Sequence, residues 1–368
     1  MNSITRLLLT SSIVAFQAFV FTPAAVYASP PQYTVIGLGT LGGSFSVGVG
    51  INDFGQVTGF SNLTGDSAQH AVRWTGTTPT DLGSVPGSNY SFGNSINDVG
   101  QAAGEAYTTD DNAFHAVRWT GTTPTALGNL PFNTHSSGYG INASGQVVGS
   151  GNFHAVRWTG TTPEDLGTLG GDYSTGYGIN DLGQVAGFAF TTGNGARHAV
   201  RWTGTAPADL GTLGGTESLG YGINATGQVA GQSQTTGNSA WHAVRWTGIT
   251  LADLGTLGGT NSYAAAINDS GDVIGMSDIA GDATEDAFLY TGGTMYDLNS
   301  LLLPSSGVTG LTIVNQPGGN SINVFGQIAA KGIIGGQSQA LVLTPTPEPA
   351  SVVLLLGGGA LLALRRRR

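Results

Sequence analysis

The stretch Thr175-Gly176-Tyr177-Gly178-Ile179-Asn180-Asp181-Leu182-Gly183-Gln184-Val185-Ala186-Gly187-Phe188 decides the fold. It reads as two short extended segments joined by a tight turn. Asn and Asp favour turns through local side-chain hydrogen bonds, and Gly183 suits a last position with φ > 0, where it meets no steric penalty. Working outward, the core of this stretch recurs. Ile-Asn-x-x-Gly begins at Ile51, Ile96, Ile141, Ile179, Ile223, Ile267 and Ile322, with spacings of 45, 45, 38, 44, 44 and 55 residues.

Two further markers keep step with the first. His-Ala-Val-Arg-Trp starts at His70, His115, His154, His198 and His242, and decays to forms starting at Asp286 and Gln339. Leu-Gly-Thr-Leu-Gly-Gly starts at Leu38, Leu166, Leu210 and Leu254, with degenerate copies at Leu82, Leu127 and Leu298. One fixed order repeated seven times between about Tyr33 and Leu343 describes one structural unit copied along the chain. In the fourth unit four segments have strand length: 165–169, 175–179, 184–188 and 198–203. Four short strands per unit of about 44 residues predict an all-β fold, a seven-bladed β-propeller of four-stranded units, with a β-solenoid as the alternative. The second segment carries Gly, Ala or Ser one and three residues before each Ile, as at Gly176 and Gly178. Positions two apart share a strand face. This predicts a bare face, and glycine in a strand implies close approach of another backbone, so the segment is expected to be an inner, crowded strand.

Composition agrees. Of 368 residues 61 are Gly, charged residues make up 9%, and there is no Cys, so disulfide frameworks and thiolate chemistry are excluded. Glycine at this density also argues against long helices. Residues 1–28 read as a secretory signal: Arg6, a mainly apolar run from Leu7 to Phe21, and Val26-Tyr27-Ala28, with cleavage expected between Ala28 and Ser29. Residues 29–346 are then the repeat domain. Residues 347–368 form a tail of Pro347-Glu348-Pro349, an apolar segment from Ala350 to Leu364, and Arg365, Arg366, Arg367 and Arg368. The segment is short for a membrane span, and the arginines would hold its end on the cytoplasmic side. Removal of both ends, with cleavage before Glu348, leaves seven basic and 21 acidic residues, a net charge of −14. Such a surface repels nucleic acid.

The tail resembles the PEP-CTERM sorting signal of Gram-negative bacteria. The resemblance implies signal-peptidase cleavage at the front and transient anchoring in the inner membrane by the C-terminal helix. It further implies processing near Pro347-Glu348-Pro349 by an exosortase-type enzyme, then release to the cell surface or matrix among exopolysaccharide and surface proteins. The repeat unit resembles the HAF family of bacterial extracellular repeats, here with His-Ala-Val at His198-Ala199-Val200. That resemblance implies an exported repeat protein and no defined activity.

Candidate sites are sparse. The repeated His residues would bind metal only if they converged, and two units lack them. Their expected role is a hydrogen bond to neighbouring backbone, with the following Trp packed between blades. The turn carboxylates Asp53, Asp98, Asp181 and Asp269 are replaced by Ala143, Ala225 and Val324 elsewhere, which favours a turn role over calcium ligation; Asn268 to Asp272 is the best exception. Each repeated Arg is expected to pair with an acid such as Asp209. Non-repeating loop residues are better pointers to binding: Trp241, which could stack on a sugar, and Glu105, Asp110 and Asp111. The sequence alone does not pair His135 or Glu105 with another residue. No catalytic signature is present. The expectation is a non-enzymatic surface or matrix scaffold that binds glycan or protein. A propeller glycan-processing enzyme and a calcium-dependent adhesin are the alternatives.

Overall fold

The computed structural model describes residues 30–346, except 110, 132, 133, 315–317 and 319. The signal residues Ala28 and Ser29, the tail from Pro347 to Arg368 and Asp110 lie outside the described residues. The described chain is all-β: four-stranded antiparallel sheets joined by turns and single-turn 3₁₀ segments.

The fourth unit shows why. Its strands are Gly170–Ile179, Val185–Thr191, Arg197–Thr203 and Ala206–Asp209, paired in sequence order. Gly183 takes φ 74° at the first turn, as expected. The expected strand at 165–169 is not one. Asp165 ends the outermost strand of the third unit, Thr162–Asp165, and Leu166 to Leu169 cross over to the next inner strand. The outermost strand escapes a sequence reading because it carries proline (Pro163, Pro207). An edge strand tolerates proline, since one side of its backbone has no partner.

The Ile-bearing strand is the inner one, and crowding explains its glycines. A register shift between Gly176 and Gly178 inserts one extra residue, Tyr177, as a β-bulge. The two glycines therefore do not share one bare face. They meet opposite neighbours: a Cβ on Gly176 would press on Val148 of the preceding unit at 2.6 Å, and one on Gly178 would lie 2.9 Å from the Tyr221 carbonyl of the following unit. A second set of glycines, including Gly59, Gly104, Gly187 and Gly231, lies on the adjacent strand directly beneath a carbonyl of that inner strand, where no side chain fits.

Units are joined by repeated contacts. Trp202 is fully buried among Val148, Ala155 and Leu166 of the preceding unit, and Trp74, Trp119, Trp158 and Trp246 are buried likewise. The Ser174 hydroxyl donates to the Gly167 carbonyl and accepts from the Ala155 N–H. Arg201 does not pair with Asp209; its Nη1 donates to the Gly227 carbonyl of the following unit at 2.9 Å. Arg73, Arg118, Arg157 and Arg245 do the same to Gly100, Gly145, Gly183 and Gly271, and Arg157 also binds Glu164.

The last unit combines both ends of the described chain. Thr309–Thr312, Ile328–Ile334 and Gln337–Pro345 are completed by Tyr33–Gly37, which pairs with the third of these over five positions. Asparagine side chains run around the assembly without a break. Asn52 Nδ2 donates to the Asn97 carbonyl, Asn97 to Asn142, Asn142 to Asn180, Asn180 to Asn224, Asn224 to Asn268, Asn268 to Asn323, and Asn323 back to Asn52.

Candidate functional site

Two of the cavities among the described residues lie at opposite faces. The first sits on the axis among the asparagine turns, has a volume of about 180 Å³, and is lined by the Ile-Asn-x-x-Gly residues of every unit together with Gly318 and Asn320. Its polar groups already have partners. Asn180 Oδ1 accepts from Gln184 N–H, and its Nδ2 donates to Gln184 Oε1 as well as to Asn224. The turn carboxylates cap neighbouring turns: Asp98 accepts from Asp53 N–H, Asp181 from Ala143, Asp269 from Ala225 and Asp53 from Val324. Burial holds the Asp53 carboxyl above its ordinary value, and the charges of Asp98, Asp269 and Asp181 around the mouth add to this. In the stretch 268–272, Asp272 accepts from Asn268 Nδ2. Among the described residues no group of three or more His, Asp or Glu side chains is placed to hold a metal ion.

The repeated histidines sit on the third strand of each unit, away from the axis. They bind carboxylates rather than backbone. His70, His154, His198 and His242 reach Asp81, Asp165, Asp209 and Asp253 through Nδ1 at 2.7–3.0 Å. These aspartates also accept a glycine N–H two residues on, as Asp209 does from Gly211, so they shape the crossover that follows. In the second unit Ala126 replaces the aspartate, and His115 turns to Asp111 at 2.9 Å.

The second cavity is a groove of about 610 Å³ between the third and fourth units, lined by Phe153, Asp172, Tyr173, Phe188, Phe190, Asn194 and Arg197. It lies where the repeat is broken. In most units five or so residues join the second and third strands; in the third only Asn152 and Phe153 do, both at positive φ (52° and 70°). With the shorter strands that flank it, Val147–Gly151 and His154–Thr159, this turn accounts for the 38-residue spacing seen in the sequence. It leaves Phe153 67% exposed, with its ring 5.8 Å from that of Tyr173. Tyr173 stacks on Phe188 at 5.8 Å and meets Phe190 edge-on. Arg197 lies over Phe188 at 5.9 Å and is held by Glu217 through Nε at 2.8 Å. On the rim, Asn194 Oδ1 accepts from Asp172 N–H and its Nδ2 donates to the Asp172 carboxylate. Below the groove the rings continue through Tyr177 to Tyr221, whose centroids lie 5.3 Å apart. Burial drives the Tyr177 phenol far above its ordinary range.

The sequence-selected residues do not assemble into one site. Trp241 belongs to the fifth unit and packs against Phe188, Leu219 and Tyr221, below and beside the groove. Glu105 belongs to the second unit, has Ser137 as a hydrogen-bond partner, and is pushed up by burial. Asp111 accepts from Thr108 Oγ1 at 2.6 Å and holds His115, a local loop role. His135 meets Thr134 Oγ1 at 3.0 Å. Asn194, in the turn between the second and third strands of the fourth unit, and Arg197, at the start of that third strand, reach the groove instead. Phe153, Tyr173 and Phe188 were not anticipated, although the irregular spacing pointed to them.

No family model matches the chain, and no curated protein matches it. Solved structures that resemble the chain include two of different origin. One is an extracellular domain described as part of a one-component system from B. thetaiotaomicron, at 10% identity and a TM-score of 0.49 over 85% of this chain. This chain spans 40% of that one. The other is the PQQ-bound aldose sugar dehydrogenase of Streptomyces coelicolor, at 13% identity and a TM-score of 0.34, covering 86% of this chain and 99% of that one. Neither likeness bears on function. Among the described residues no helix is long and apolar enough to cross a membrane.

Proposed function

We propose that the chain is an exported, non-catalytic seven-bladed propeller, a surface or matrix scaffold that binds glycan in the groove between its third and fourth blades. The seven-bladed reading is supported by the asparagine cycle, in which each unit's Asn reaches the next and the last reaches the first. The groove carries the binding reading. The exposed ring of Phe153 and the half-buried ring of Tyr173 offer the apolar face of a sugar a rigid surface, and Asp172, Asn194 and Arg197 supply hydroxyl partners at the rim. Arg197 is already neutralised by Glu217, which favours neutral over acidic sugars. The non-catalytic reading rests on the engagement of the clustered carboxylates, each capping a neighbouring turn. Sorting and processing at the Pro347-Glu348-Pro349 tail, with release to the cell surface, completes the proposal.

The test is a glycan array probed with the exported protein and with Tyr173→Ala, alongside fractionation of cells to follow release. Binding to neutral glycans that falls at least about tenfold in the variant supports the proposal. Complete absence of glycan binding sinks it, and product found only inside the cell sinks the sorting part.

A further inference from the structure

Among the described residues ten large apolar side chains are exposed, and six of them lie on one face: Phe54, Val99, Leu182, Ile249, Val324 and Phe325. Five are the variable positions of the Asn-x-x-Gly turns. Ile249 is the tip of the hairpin between Trp241–Thr247 and Thr250–Gly255, whose Thr247 hydroxyl accepts from Gln228 just after such a turn. Exposure is high at Phe54 (75%), Leu182 (76%) and Ile249 (90%). Hydrogen bonds bring the richest tips together: Val324 N–H binds Asp53, and Asp53 N–H binds Asp98, so the turns bearing Phe325, Phe54 and Val99 are consecutive. Apolar tips collected on one face of a protein mark a contact surface.

The chain leaves the described fold from the same face. The turn at Gly326 lies beside Pro345 and Tyr33. Gln327 reaches Thr344, and Thr346 N–H donates to the Gln32 carbonyl at 2.8 Å. Both segments outside the described residues, 1–29 and 347–368, thus depart beside Phe325. From Thr346 to Ala350, where the apolar tail segment begins, the chain can span roughly 14 Å at full extension. A domain on so short a tether cannot float free of whatever that segment enters.

We propose that this turn face is a membrane-docking surface, seated on a bilayer while the chain remains attached by its tail. The proposal rests on the reading that residues 350–364 enter a membrane. The occupant is a lipid surface because the tether fixes what the face must meet, and because protruding Phe and Ile at turn tips suit shallow insertion at the interface. The carboxylates of Asp98, Asp181 and Asp269 on the same face set a preference for zwitterionic over anionic lipid. Docking this way turns the Phe153–Tyr173 groove outward.

The chain contains no Cys, so single introduced cysteines are unique labelling points. Phe54→Cys, Phe325→Cys and, on the opposite face, Phe153→Cys are each labelled with a polarity-sensitive dye in the full chain, reconstituted with phosphatidylcholine vesicles carrying nitroxide lipid. Quenching at 54 and 325 at least about threefold above that at 153 is the expected result for interfacial insertion. Phe54→Ser combined with Val99→Ser, both at exposed positions, is expected to speed proteolysis of the 346–350 connector severalfold. A chain that floats with the vesicles while all three dyes stay equally wet overturns the docking proposal and leaves tail insertion standing. A chain that does not float overturns both. Protection at 54 and 325 in lipid-free solution, with a doubled mass, overturns it in favour of a second copy.

Discussion

The axial mouth and the aromatic groove are built on opposite rules. The mouth is made of what repeats, and its asparagine amides are committed to structure, as Asn180 shows with its bonds to Gln184 and Asn224. The groove is made of what does not repeat. Phe153 sits at φ 70°, a conformation that costs a non-glycine residue about 1–2 kcal/mol, and it is left exposed as well. A fold that holds an aromatic ring in a strained, exposed turn here, and spends the side-chain amides of its repeated turns on structure, separates recognition from architecture.

The contrast can be broken in three ways. The largest effect is expected at the repeated glycines. Gly231→Ala forces a methyl into the Leu219 carbonyl, and a loss on the order of 3 kcal/mol should appear in denaturant unfolding. A fully stable variant would mean that the inner bulge is soft. At Phe153 the signs should oppose. Phe153→Gly creates an Asn-Gly turn suited to positive φ, and should raise stability by about 1 kcal/mol while weakening glycan binding at least tenfold. Loss of stability together with binding would make Phe153 a packing residue and dissolve the distinction.

The smallest effect is at Glu105. Burial raises its folded pKa above the unfolded value, so the folded state holds the proton more tightly. Stability is therefore greatest below the unfolded carboxylate pKa and falls as pH rises through the interval up to the raised folded pKa. Glu105→Gln should flatten that part of the stability-versus-pH curve and leave the variant more stable at neutral pH. An unchanged slope would place the responsible proton elsewhere, Asp53 being the next candidate.

Much of the fold could be read from the sequence because turns are local. Asn, Asp and Gly at fixed offsets dictate the hairpin at 180–183 without help from distant residues, and the Trp between units follows from its regular recurrence. The outermost strand could not be read, since Thr162–Asp165 and its equivalents contain proline and present no alternating apolar face. Partner choice failed for the same reason in two cases: Arg201 and His198 exchange with groups that only the sheet register brings close, Gly227 and Asp209. The groove was hidden because Phe153 comes from a turn of one unit and Tyr173 and Arg197 from separate strands of the next, and they meet only across the interface. The 38-residue interval was its one visible trace.

The pairing of Tyr33–Gly37 with Gln337–Pro345 also imposes an order in time. Thr34 Oγ1 bonds to Thr344 across 310 positions, so the first strand of the described domain must wait for nearly the last. Contacts of such separation carry the greatest loop-closure cost and form late. Until they form, the edges of the opening units are bare to other chains. A chain cut short before its last strand would keep those edges bare, open to proteases and to neighbouring chains, and only one carrying both strands could cover its ends.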